Sequence, residues 1–338
     1  MVLSVLNFRR EGTAVTQSEP DTTPKPRGPV IGLALGGGVA RGWAHIGILR
    51  VLEREGIRPK IITGTSIGAV VGGCWAAGSL DQLELFARRL TKRGVFNLMD
   101  FSLSGSGLVG GRRLREMLDE ALGDRAIENL PTRFAAIATE FGTGHEIWLQ
   151  RGHLATAIRA SYAIPGVFEP VKVNDKWMLD GALVNPVPVT TARALGATMV
   201  IAVNLNNEFF GRSTVIADHV AQRPPGEDPG ATGTSSLLRP VKDAANAVSY
   251  YFNGRPSTPS GSPSIASVMI ETINITQDRI ARSRLAGDPP DVMIAPKLAR
   301  IGLFEFHRAD EAIALGVEAA ERMLPDLREV FDALAARG

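Results

Sequence analysis

The chain lacks what several kinds of protein need. It holds one cysteine, Cys74, among 338 residues, so it can build neither an internal disulfide framework nor a multi-cysteine metal site. That is compatible with a reducing compartment. Charge of one sign is missing too. Lys and Arg number 37 against 35 Asp and Glu, leaving a formal net charge of +2 without any polybasic run. Nothing in that balance points to a nucleic-acid partner. No Gly-Lys-Ser or Gly-Lys-Thr tripeptide occurs, which removes the P-loop. The spacing of Asp and Glu gives no calcium loop, and neither a metal nor a cofactor is implied.

Long uncharged apolar runs are scarce. The exception is residues 61–80, IITGTSIGAVVGGCWAAGSL, twenty residues that could in length span a bilayer. Its five glycines divide it into unlike halves, and no second spanning candidate accompanies it. A buried strand, a sharp turn and a buried helix give the same hydropathy, and that is the preferred reading. The N-terminus puts Met1–Phe8 before Arg9 and Arg10, the reverse of a secretory signal.

What is present is the balance of a globular protein, with 44% apolar and 21% charged residues and enough length for a sizeable core. Residues 1–28 read as a flexible tail and 29–325 as one catalytic domain carrying a flexible insertion at 206–264. Residues 326–338 read as the end of a C-terminal helix. Short apolar runs at Val30–Leu35, Lys60–Thr63, Phe134–Thr139, Glu146–Leu149, Thr198–Asn204 and Asp291–Ala295 predict strands. Helical spacing predicts helices over Ala40–Glu55, Ser66–Ala77, Leu80–Lys92, Arg112–Leu122, Leu154–Tyr162, Val187–Leu195 and His307 to about Leu334. This alternation implies an α/β fold, a sheet covered by helices on both faces.

Inside the Pro/Gly/Ser-rich insertion, Ala244–Phe252 reads equally as a lid or membrane contact and as a satellite core. The stripe Ile265, Val268, Met269, Ile273 and Ile280 that follows is expected to pack in the core.

Three motifs carry chemistry. Gly36-Gly37-Gly38-Val39-Ala40-Arg41-Gly42 lies between a strand and a helix, where backbone N–H groups can converge on an anion. A dinucleotide fingerprint starting at Gly36 would need Gly or Ala where Arg41 stands; an oxyanion hole needs only the amides. Gly64-Thr65-Ser66-Ile67-Gly68 follows a strand and opens a helix, the context of a G-x-S-x-G nucleophile elbow. Trp177-Met178-Leu179-Asp180-Gly181-Ala182 is an apolar strand ending on a carboxylate, although a lone Asp-Gly is usually a turn.

A serine nucleophile needs a base. Only His219 and His307 follow Asp180. His219 lies in the insertion, and His307 reads as a cap or surface residue. His45 reads as a packed or hydrogen-bonded structural histidine. The inventory argues against a triad and leaves Asp180 to act on Ser66, with a His219 or His307 triad and a lipid-binding regulator as the competing readings.

In this order the motifs resemble those of the patatin-like phospholipases, in a bacterial branch similar to the catalytic domain of neuropathy target esterase. Ala44–Leu49, Asn185-Pro186-Val187-Pro188 and Asp291–Glu318 extend the likeness. The resemblance implies a three-layer α/β/α fold with a mostly parallel sheet and a Ser66–Asp180 dyad acting on phospholipid or other fatty-acyl esters. Gly37, Gly38 and Val39 would supply the oxyanion hole, although the family often has glycine where Val39 stands. Gly36, Gly42, Gly64, Gly68 and Gly181 would support the turns, and Arg41 would anchor the loop rather than meet a lipid phosphate. The expected location is cytoplasmic, with peripheral contact at the inner face of the membrane through residues 244–252.

Overall fold

The computed structural model describes residues 28–94, 112–206 and 265–336. An eight-stranded sheet runs through these residues. Its strands are β1 (Ile31–Leu35), β2 (Ile61–Thr65), β3 (Arg133–Glu140), β4 (Glu146–Leu149), β5 (Val171–Val173), β6 (Lys176–Asp180), β7 (Met199–Val203) and β8 (Val292–Ile294). β3, β2, β1, β7 and β8 pair in parallel, while β4, β5 and β6 join antiparallel. β1, β2 and β7 are buried at every residue, as strands covered on both faces must be.

Alternate side chains of each central strand feed different cores. Leu33, Leu35, Ile62, Met199, Ile201 and Val203 enter the larger one, shared with α1 (Ala44–Arg54), α2 (Ile67–Ala76), α3 (Leu80–Arg89), α4 (Arg112–Leu122), α5 (Leu154–Ser161) and α8 (Ala309–Ala335). Ala34, Ile61, Ala135, Val200 and Ala202 face the other way, toward α6 (Val189–Ala194) and Leu285 of α7 (Ile265–Gly287). The result is a sheet with helices on both faces. The 61–80 run resolves as β2, a turn and α2. Among the described residues no helix is long and apolar enough to cross a membrane.

α1 and α8 cross with their backbones nearly touching. A Cβ at Gly47 would lie 2.1 Å from the Ile313 carbonyl oxygen, and one at Gly316 would lie 2.1 Å from that of Ala44. α8 continues through Pro325 and buries Leu327, so the residues after 325 pack on the same core.

Several expectations shift. The helix predicted from Ala40 starts at Ala44, because Val39–Trp43 winds as a 3-10 turn. The helix predicted from Val187 starts at Val189, after Pro188. β5, which no sequence pattern marked, forms a hairpin with β6 through Asn174 and Asp175, both at positive φ. The apolar stripe of α7 is core only in part: Ile273 packs beside Ile164 and Val167, but Val268 and Met269 are exposed by 48% and 44%. Residues 244–252 and His219 lie outside the described residues.

The sheet's register brings the motifs together. Ala136 and Ile137 of β3 pair with both β2 and β4, while Ala138 and Thr139 pair with both β4 and β6. β2 and β6 therefore share the edge of β3 opposite β4 and meet there end to end. Thr65, the last residue of β2, is level with Ile137, and Asp180, the last of β6, is level with Ala138.

Candidate active site

Ser66 sits where β2 ends and α2 begins, buried, at φ 55° and ψ −123°. An L-residue held there costs of order 1–3 kcal/mol, so neighbours must fix it. The Ser66 N–H donates to Ser161 Oγ at 2.9 Å, and the Ser66 carbonyl caps α2 by accepting from Ala69 and Val70. Gly68 has no room for a side chain: a Cβ would lie 2.2 Å from the Leu35 carbonyl oxygen, which presses the start of α2 onto the end of β1. Gly42, Gly64 and Gly181 are approached as tightly, by Ile67, Ala69 and the Ile137 carbonyl respectively.

Asp180 is buried, with 1% of its surface exposed. Its N–H donates to the Ala163 carbonyl, its own carbonyl accepts from Thr139 Oγ1, and Oδ1 accepts from the Ala182 N–H at 2.8 Å. Burial pushes the carboxyl up to about 7, against the opposing pull of the Ser66 hydroxyl and the Ala182 N–H. That hydroxyl is near enough to act on the carboxylate yet outside hydrogen-bond geometry, and Oδ2 has no hydrogen-bond partner. Contacts of this kind are often long without substrate. Of the apolar residues before it in β6, Met178 is buried and Trp177 is half exposed.

The glycine-rich loop closes the third side. A Cβ at Gly37 would lie 3.5 Å from Ser66 Cβ and 3.4 Å from Ala182 Cβ, so all three motifs converge. The loop's amides are unequal. Gly36 N–H donates to Val203 and Gly37 N–H to Pro186, each at 3.0 Å, while Ala40 N–H donates to Leu303. Among the described residues, those of Gly38 and Val39 have no acceptor. Val39 stands at φ 52°, unusual for a β-branched residue, with its side chain against Ile164, Val167 and their apolar neighbours. Arg41 Nε donates to the Ile301 carbonyl at 2.9 Å.

His45 is fully buried, its Nε2 donating to the Gly36 carbonyl at 2.8 Å. Burial holds its pKa down at about 4 despite that bond, so the imidazole is neutral at ordinary pH. His307 lies in the Phe306–Arg308 turn before α8. Among the described residues no histidine hydrogen-bonds to Ser66 or Asp180.

The patatin-like phospholipase family model matches residues 33–193, a span that contains all three motifs. An NTE family protein of Mycobacterium tuberculosis is 36% identical over 329 residues, covering 88% of this chain and 91% of the relative. The chain belongs to the NTE family of patatin-like phospholipases. A lysophospholipase NTE1 of Candida glabrata is 32% identical over 185 residues, spanning 53% of this chain and 11% of that much longer protein. The crystal structure of VipD from Legionella pneumophila has the same fold, with a TM-score of 0.50 at 13% identity over 91% of this chain and 67% of that one.

Two supports of this NTE family site escaped the sequence reading. Ser161 ends α5, and nothing local marks a buried serine there as the partner of an amide 95 residues away. Glu146 Oε1 accepts from Asn185 Nδ2 at 2.7 Å and its Oε2 from Arg284 Nη2 at 2.9 Å. Glu146 thus ties α7 to the loop after Asp180. Asn185 stood within the Asn-Pro-Val-Pro likeness, but its partners come from β4 and from Thr65, whose hydroxyl donates to the Asn185 carbonyl.

Proposed function

We propose that this NTE family protein is a serine lipid acyl hydrolase that cleaves carboxylic esters of phospholipids or lysophospholipids through a Ser66–Asp180 dyad. The observation that carries the reading is Asp180, a buried carboxyl raised to about 7, with one oxygen held by Ala182 and the other unpaired beside the elbow serine. A carboxylate so placed is a far better base than one in water.

Ser66 Oγ attacks the ester carbonyl carbon as Asp180 Oδ2 takes the hydroxyl proton. The tetrahedral intermediate collapses, Asp180 returns that proton to the departing alcohol, and an acyl-Ser66 ester remains. Water then attacks the acyl-enzyme, giving its proton to Asp180, which passes it to Ser66 Oγ as the fatty acid leaves. The N–H groups of Gly38 and Val39 take the oxyanion in both halves, since Gly37 is committed to Pro186.

The lipid part of the reading is supported by the lysophospholipase name of the C. glabrata relative and by the apolar side chains of Ile164, Val167, Phe168, Ile273 and Phe304 packed near Val39. Action at the inner face of a membrane belongs to the same proposal. A fluorophosphonate probe tests the nucleophile: it should label the wild type and leave Ser66→Ala unlabelled, and equal labelling of the two would remove Ser66 from the reaction.

A further inference from the structure

The peptide unit joining Gly36 to Gly37 is clamped at both ends. Its carbonyl accepts from His45 Nε2 at 2.8 Å and its N–H donates to the Pro186 carbonyl at 3.0 Å. A carbonyl can only accept, so the imidazole carries its proton on Nε2, leaving Nδ1 bare, buried and without a partner. A buried nitrogen with no hydrogen bond costs stability, and a side chain chosen for packing would not carry one. Its ring sits in the first turn of α1, behind the loop whose next two N–H groups, on Gly38 and Val39, have no acceptor among the described residues. Those two amides follow the clamped peptide directly, so its tilt sets where they point.

We infer that His45 is a positioning residue for the oxyanion loop, its Nε2–H holding the Gly36–Gly37 peptide so that the Gly38 and Val39 amides stay directed at the ester oxygen. The inference rests on the reading of Ser66 as the nucleophile. His45 does not touch substrate. Because the loop is preorganised, its contribution appears in the transition state and not in substrate binding.

The test compares His45→Gln, which keeps an N–H donor at a similar reach, with His45→Met, which fills the space without one. Each is measured for kcat and KM on a soluble p-nitrophenyl ester, for the rate of fluorophosphonate labelling at Ser66, and for thermal unfolding. His45→Met should lose about 10- to 100-fold in kcat and in labelling rate with KM within about two-fold, and His45→Gln should recover most of both. The proposal is overturned if folded His45→Met turns over like wild type, if its whole loss lies in the folded fraction, or if Gln and Met behave alike. Should His45→Met not fold, His45→Gln alone decides: a kcat near wild type supports the clamp, and a loss like that expected for Met overturns it. Wild type that fails to label at Ser66 would instead sink the hydrolase reading, an outcome separate from any difference among the variants.

Discussion

In the proposed dyad, Asp180 links stability and chemistry through one proton. Its carboxyl must be ionised to accept the Ser66 proton, so kcat/KM should rise with pH through about 7 and level off above it. An activity profile already flat from pH 5 to 8 would contradict this. The same shift acts on folding with the opposite sign. A group whose pKa is raised in the folded state adds stability that is full below its ordinary value of 3.8 and lost as pH rises through about 7. Asp180→Asn should therefore be more stable to unfolding than wild type at pH 8, by up to about 4 kcal/mol, and the two should converge near pH 4. Ser161→Ala would leave the buried Ser66 N–H unpaired, costing about 1–3 kcal/mol in thermal or urea unfolding and lowering kcat as the elbow relaxes. Val39 offers only its backbone N–H to the reaction, so Val39→Gly should relieve the φ 52° strain and keep activity within a few-fold.

Secondary elements show what a sequence discloses and what it withholds. The glycines at 36–38, 64 and 68 marked the tight turns after β1 and β2 because local geometry alone demands small residues there. The run 61–80 could be divided into β2, turn and α2 because its glycines break any single helix. The end-to-end meeting of β2 and β6 on one edge of β3 was not legible, since it depends on register among three strands spread between residues 61 and 180. Nor were the acceptors that occupy Gly37 and Ser66, which arrive from Pro186 and Ser161. The α7 stripe divides for a related reason: apolar periodicity reports that a face is apolar, not which of its residues the rest of the chain covers. The α1–α8 crossing is testable at this scale. Gly316→Val would drive a side chain into the Ala44 carbonyl and should cost about 2 kcal/mol or more in chemical denaturation, with kcat per folded molecule little changed.

For the molecule as a whole, the parallel sheet gathers its chemistry at one end. β1 delivers the glycine-rich loop and β2 the Ser66 turn at their carboxyl ends, and β6 runs in from the opposite direction to set Asp180 near them. The family-model match over residues 33–193 spans all three contributions. No histidine takes part in that convergence among the described residues, and His307→Ala and His219→Ala should both keep near-wild-type activity. The most direct measurement of the central claim is steady-state hydrolysis of lysophosphatidylcholine by wild type, Ser66→Ala and Asp180→Asn, with circular dichroism confirming the fold of each. The dyad predicts that both variants fold and that both lose at least about 1,000-fold in kcat. Wild-type-like hydrolysis by folded Asp180→Asn would contradict it.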